Sequence, residues 1–242
     1  MTIIKDEGVI LRSYKLGEAD RIVVAMTRGH GKVRAVAKGV RKTGSKFGSR
    51  LEPLSVVSLM LWRGRSDLDI VNQAEVVERF WNVREDLERM NAGLMMLEVV
   101  DQVTQENHAD ERTLDTVIRA LRVLDDPSRD PTLVAPAFFL RMLEIEGAGP
   151  IVDVCASCGR DDIELVAFDL NEGGCLCRDC RRGRPLSPEA LVLLQRIIGG
   201  DLAGVLSSAP PPGAVEVQSV ATTAMEAHLD RRLRSAHLRA EA

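Results

Sequence analysis

The sequence predicts an α+β protein of several domains. A five-stranded β-barrel comes first, followed by an α-helical domain into which a small cysteine module is inserted. Three observations predict this. The first 80 residues divide into five short β-branched or apolar runs. From residue 82 the apolar period changes to that of helices. All five cysteines lie between Cys155 and Cys180. The expected boundaries are 1–80 for the barrel, 81–150 with 185–242 for the helical domain, and 151–184 for the module.

The strands are expected at Gly8–Leu16, Arg21–Arg28, Gly31–Lys38, Val56–Trp62 and Leu68–Glu78. Gly29-His30-Gly31 signals a tight hairpin, because glycine tolerates the positive φ of such turns. Five strands with one long Gly- and Lys-rich connection make the oligonucleotide-binding (OB) barrel the natural candidate among five-stranded barrels, others of which fit the same pattern.

In the helical part, Asn82 with Glu85 resembles a capping box. Leu87, Met90, Leu94, Leu97, Val100 and Val103 then follow helical spacing to about Glu106. A second helix is expected over about 110–125 on the stripe Leu114, Val117, Ile118, Leu121 and Leu124. Asp130-Pro131 marks the start of a third, which Gly147, Gly149 and Pro150 end. Ser187-Pro188 starts another, closed by Gly199-Gly200. The last is expected over about 214–236, ending among Arg231, Arg232, Arg234 and Arg239.

Charge is distributed unevenly. The chain of 242 residues has formal net charge -4, yet residues 1–80 carry net +6, residues 81–150 net -7 and residues 151–242 net -3. From Arg21 to Arg50 there are nine Lys or Arg and no carboxylate: Arg21, Arg28, Lys32, Arg34, Lys38, Arg41, Lys42, Lys46 and Arg50. Such a cluster in an acidic protein is the footprint of a polyanion-binding face; a solvated strand face is the plainer alternative. Lys32, Arg34, Lys38, Arg41, Lys42, Lys46 and Arg50 are the candidate phosphate contacts. Tyr14, Phe47 and Trp62 are placed to stack on bases, Phe47 best of all because it sits in the basic loop; it is equally suited to plugging the barrel. Aromatic residues are only 3% of the chain, so contacts are expected mainly to phosphate, with little sequence preference and strong salt dependence.

Cys155-Ala156-Ser157-Cys158 and Cys177-Arg178-Asp179-Cys180 are two CxxC knuckles with eighteen residues between them. This is zinc-ribbon spacing. Four thiolates complete a tetrahedral shell, so one structural Zn2+ with no open coordination position is expected. Cys175 could stand in for Cys177, and CxxC spacing favours Cys177. Neither CxxC opens a βαβ unit, which argues against a redox pair, and the HxE partner of a deaminase zinc is missing. His30, His108, His228 and His237 lie away from the cysteines in sequence. No P-loop, GxGxxG, GxSxG or HExxH motif is present, so no enzyme is expected. The N-terminus lacks a signal-peptide layout, and no segment has about 18 uninterrupted apolar residues; a cytoplasmic, nucleoid-associated location is expected.

The stretch Gly31-Lys32-Val33-Arg34-Ala35-Val36-Ala37-Lys38-Gly39-Val40-Arg41-Lys42, continuing through Ser45-Lys46-Phe47 to Leu51-Glu52-Pro53-Leu54, resembles the bacterial RecO family of recombination mediators. So do Glu7-Gly8-Val9-Ile10-Leu11 with Gly17-Glu18-Ala19-Asp20, and the Cys155-x-x-Cys158-Gly159 and Gly173-Gly174-x-x-Cys177-x-x-Cys180 pattern. The resemblance implies an OB barrel, a helical domain and a zinc module. It implies binding of single- and double-stranded DNA and annealing of complementary strands. It further implies work with RecR, and in many bacteria RecF, to load RecA onto strands coated by single-stranded-DNA-binding protein (SSB), with the SSB C-terminal tail bound on the helical domain. Its Gly-Gly register favours Cys177 over Cys175. Two other functions fit the residues: an adaptor that recruits repair partners to SSB, or an RNA-binding zinc-ribbon factor.

Overall fold

The computed structural model describes residues 2–64, 68–206 and 209–237; Arg239 lies outside them. The chain forms two compact units, Met1–Asp125 and Asp126–Ala242.

In the first unit, β1 (Thr2–Leu16), β2 (Asp20–Thr27), β3 (Gly31–Ala37), β4 (Ser55–Arg63) and β5 (Asp69–Arg79) close into a barrel in the order β1-β2-β3-β5-β4. One long strand serves both ends of the closure. Residues Thr2–Val9 of β1 pair with β4, and Gly8–Leu16 pair with β2. A register shift between Ile10 and Arg12 accommodates the turn from one partner to the other. Alternate residues then point inward: Ile10, Val23, Ala25, Val33, Ala35, Val57, Leu59, Leu61 and Val71 form the barrel core.

β3 meets β5 through only two register pairs, Ala35↔Asp69 and Val36↔Ile70. Further along this edge lies the segment 104–110 that joins two of the helices described next, where Asn107 N donates to Lys32 O at 3.0 Å. Gly31 is needed at this contact. Its φ is +66°, and a Cβ there would lie 1.9 Å from His108 O.

Three helices complete this unit: α1 (Trp81–Glu85), α2 (Leu87–Val103) and α3 (Glu111–Asp125). α2 packs on β1, and α3 on β1 and β2. Val24 and Met26, on the outer face of β2, are therefore fully buried. The single helix expected over 82–106 is broken at Asp86. That residue is extended and accepts the Arg89 N–H at 2.9 Å, capping α2. Asn82 does not cap; its side-chain amide donates to Asp125 O at 2.7 Å.

The second unit holds α4 (Val134–Ile145), α5 (Pro188–Ile198), α6 (Leu202–Val205), α7 (Ala214–His228) and α8 (Arg234–His237). It also holds a small sheet of β6 (Leu165–Asp169), β7 (Gly174–Cys177) and β8 (Arg184–Pro185) in the order β7-β6-β8. α4 begins later than Asp130-Pro131, because the Asp130 carboxylate accepts the Thr132 N–H at 2.9 Å and holds a turn there. Ser187 caps α5 as expected, through Ala190 N at 3.2 Å. The helix expected over 214–236 stops at His228 as α7, where Asp230 turns left-handed at φ +50°, and a short α8 follows. The cysteine module is tied to the helices by Gln195 Nε2 donating to Val152 O at 2.9 Å and by Arg184 of β8 donating to Ser219 Oγ, while Ser187 N and Oγ donate to the Glu216 carboxylate and join α5 to α7.

Candidate metal centre and nucleic-acid interface

The two cysteine knuckles meet on either side of the β6–β7 hairpin. The Sγ atoms of Cys155, Cys158, Cys177 and Cys180 all lie within 4.8 Å of one another, with Cys158 and Cys177 at 3.9 Å. Sulfurs about 3.8 Å apart are what a tetrahedron with Zn–S bonds of about 2.3 Å requires. All five cysteines are free thiols. The donor set can therefore hold one metal ion. The close approach depends on Gly174, whose Cβ would lie 2.4 Å from Ile151 O; Cys175 N donates to that carbonyl at 2.7 Å.

The local field prepares the sulfurs for a cation. Burial opposes ionisation of Cys155, but N–H groups of Cys177, Cys158 and Ser157 outweigh it and bring its thiol down to about 6. The Arg160 backbone and guanidinium lower Cys158. Cys180 is held up at about 12, because it keeps a proton shared with Cys177 and Cys158. Cys175 lies outside the cluster. It is fully buried, and burial raises its thiol to about 12.

The basic run divides in two. Arg28, Lys32 and Arg34 face carboxylates. Arg28 meets Asp115 at 2.7 Å, Lys32 meets Asp101 at 3.5 Å, and Arg34 meets Glu106 at 3.7 Å. These acids come from α2, α3 and the segment between them, which cover this side of the barrel. The Lys32 side chain is only 12% exposed and also donates to Asp101 O. The expectation of a phosphate contact from Lys32 is thus corrected: its charge is matched inside the unit.

The other six form no ion pair among the described residues. Lys38, Arg41, Lys42, Lys46 and Arg50 are exposed on the long loop between β3 and β4. Arg21 donates to Ser13 Oγ at 2.9 Å, Arg41 to Glu18 O at 2.8 Å and Lys46 to Asn72 O at 2.6 Å; Arg50 donates to Lys46 O. All four acceptors are neutral, so these guanidinium and ammonium charges are uncompensated. Lys15 belongs with them. It is exposed and pairs in register with Arg21, which pairs with Ala37 beside Lys38. Sequence reasoning missed Lys15 because Glu18 and Asp20 follow it; only strand pairing brings it to the basic end.

Phe47 is corrected as a stacking residue. It is 1% exposed within the barrel core, with Lys46 Nζ 5.0 Å from its ring centroid. An aromatic ring in an otherwise polar loop is driven into the open barrel end by the hydrophobic effect. Tyr14 is also occupied: the Arg12 guanidinium lies 5.4 Å from its ring centroid, and Arg34 donates to its hydroxyl at 3.0 Å. Trp62 is 39% exposed, in register between Ile3 and Ile70 on the outer barrel face.

Comparison with known proteins matches residues 1–80 to the family model for the recombination protein O N terminal, and residues 84–237 to that for its C terminal. The chain belongs to the RecO family. It is similar to the DNA repair protein RecO of Frankia casuarinae, with 40% identity over 239 residues covering 97% of each chain. It is 39% identical to that of Streptomyces coelicolor, covering 97% of this chain and 98% of the relative. The RecO protein of a Nocardioides species is also 39% identical, over 96% of both. The resemblance carried by Gly31–Leu54 and by the cysteine pattern thus holds over both parts of the chain. The C-terminal family model begins at residue 84, while the compact unit containing the barrel continues through α3. No helix among the described residues is long and apolar enough to cross a membrane.

Proposed function

We propose that this chain is a non-enzymatic mediator of recombinational repair. It binds single- and double-stranded DNA, anneals complementary strands and, with RecR and in some settings RecF, loads RecA onto SSB-coated DNA in the cytoplasm at the nucleoid. The observation that carries this reading is the row of uncompensated cations, Lys38, Arg41, Lys42, Lys46 and Arg50, around one end of a closed barrel. Annealing requires no catalytic group. Neutralising the phosphates of two strands reduces their repulsion and raises their local concentration.

The four-cysteine cluster suits one structural Zn2+. Its ligands are Cys155, Cys158, Cys177 and Cys180, and metal binding of this kind contributes roughly 10–16 kcal/mol to folding. We assign the SSB tail to the apolar groove between α4 and α5. Ala137, Leu140, Arg141, Glu144, Ile197 and Leu202 line its volume of about 290 Å³. The Arg141 guanidinium at its rim is paired with Glu144 at 2.7 Å, so the reading rests on the apolar cleft, with a peptide carboxylate taking the place of Glu144 on Arg141.

The test is fluorescence anisotropy of labelled single- and double-stranded oligonucleotides across a salt series, with strand annealing assayed in parallel. Charge reversal at Lys38, Arg41 and Lys42 is expected to weaken binding to all sequences. It should also shallow the logarithmic salt slope on single strands by about 2, at roughly 0.7 per lost phosphate contact. An unchanged slope would remove this surface from the DNA-binding model.

A further inference from the structure

Beside the basic loop, the barrel end opens into a groove of about 270 Å³. Val23, Val40 and Leu51 contribute its apolar surface, while Arg21, Arg41 and Glu52 contribute charge. Val23 and Leu51 belong to the barrel core, each 3% exposed, and half-buried Val40 packs against it, so the floor is the edge of that core with Val40 as its accessible part. The two guanidiniums are held by the neutral acceptors Ser13 Oγ and Glu18 O. Their positions are braced while their charges stay available. Glu52 is exposed and 3.9 Å from Arg84, and its carboxylate is an acceptor for N–H groups.

This combination is more than a phosphate cradle. A flat basic surface would bind a sugar-phosphate chain without needing an apolar floor. Here a cavity of nucleotide size joins apolar carbon, cationic donors and one anionic acceptor. Those are the three chemistries a nucleotide presents: an apolar ring face, a phosphate anion and polar N–H groups on the base edge. Phe47, Tyr14 and their partners leave little aromatic surface elsewhere in the basic region, as described above, so base contact there falls to this groove.

We infer that the groove between Val40 and Leu51 is a nucleobase pocket that receives one unstacked base of a bound single strand, with Arg21 and Arg41 on its flanking phosphates. The inference rests on the DNA-binding reading above. It adds that affinity for single strands has a base-dependent part seated at this end of the barrel. Duplex DNA, with its bases stacked and paired, gains nothing from the pocket.

The experiment compares the full-length protein's affinity for a single-stranded oligonucleotide with that for an abasic deoxyribose-phosphate oligomer of equal length and charge. The base-bearing strand is expected to bind at least about twofold more tightly, less than stacking on an aromatic ring would give because the groove offers only aliphatic carbon. Val40→Met crowds the groove without changing charge or adding an aromatic face on which a base could stack. It should abolish that advantage, yet leave affinity for the abasic oligomer and its salt slope unchanged. Equal wild-type affinity for the two oligomers overturns the pocket and leaves the phosphate-binding model standing. A preference that survives Val40→Met in folded protein places base contact elsewhere and also overturns it. Failure to bind either oligomer overturns the DNA-binding reading itself. Should Val40→Met fail to fold, Val40→Cys supplies the second measurement, alkylation of the introduced thiol followed by peptide mass spectrometry. Slower alkylation with the base-bearing strand, but not with the abasic one, supports the pocket; equal protection by both overturns it.

Discussion

Lys32 Nζ lies 3.5 Å from the Asp101 carboxylate and donates to the same residue's backbone carbonyl. The contact joins β3 to the end of α2. Asp101 is 8% exposed and also receives Arg12 Nε at 2.6 Å, so one buried carboxylate holds two cations, one from β1 and one from β3. Removing either cation loses a charge-assisted hydrogen bond in a partly dry site. Lys32→Met is expected to lower the stability of the barrel unit by about 1–3 kcal/mol, read by urea denaturation. Affinity for oligonucleotides should change less than about twofold. The exposed Lys38→Met should do the reverse, weakening DNA binding at unchanged stability. The model of a divided basic run fails if Lys32→Met weakens DNA binding while stability stays intact.

Phe47 anchors the long basic loop by filling one end of the barrel. Phe47→Ala is expected to cost about 3–5 kcal/mol through lost burial and the cavity left behind. Phe47→Leu keeps most of the plug and loses the aromatic face. It should therefore retain DNA affinity within about twofold, measured by anisotropy. A large loss of affinity in a stable Phe47→Leu protein would restore the stacking role.

The cysteines divide in the same way. Cys177→Ser removes one of four converging sulfurs and should abolish stoichiometric metal binding. Cys175→Ala leaves the four intact and should retain one metal per chain, with only a modest loss of stability from packing. Metal content of reduced, purified protein measured by atomic absorption checks both. Acid should release the metal, because protons compete for the thiolates.

Asp6 pins the β2–β3 hairpin. Its carboxylate accepts Gly29 N at 3.0 Å and lies 2.6 Å from His30 Nδ1. Burial opposes its ionisation, but these hydrogen bonds and that of Glu7 N prevail and hold its pKa below the ordinary 3.8. A carboxylate with a depressed folded value contributes stability above its unfolded pKa and loses it as the pH falls through the folded value. Wild type should therefore exceed Asp6→Asn in stability near neutral pH, with the gap closing only below about pH 4. A gap that is constant from pH 7 to pH 3 would show that the charge contributes nothing.

The five strands and the CxxC knuckles were legible because each is a local pattern. Alternation requires only neighbours two residues apart, and a knuckle requires only its own four residues. Helix boundaries were less legible where side chains compete for the backbone. Asp86 and Asp130 each accept an N–H a few residues ahead, and the first splits a helix while the second delays one. Apolar spacing continues across both positions and gives no sign of either.

By itself, the sequence determined a basic N-terminal barrel, a helical remainder, a cluster of four cysteines and membership in a family of recombination proteins. The first three follow from composition, period and spacing, which are properties of chain segments; the family follows from the resemblance carried by Gly31–Leu54 and the cysteine pattern. The tertiary structure alone decided which charges remain free. Arg28, Lys32 and Arg34 look the same in sequence as Lys38, Arg41 and Lys42, yet the first three meet acids more than 65 positions further along the chain. It also decided that Phe47 points inward and that Lys15 joins the basic end. Electrostatic compensation and burial depend on distance in space, and folding brings together residues whose separation along the chain carries no trace of it.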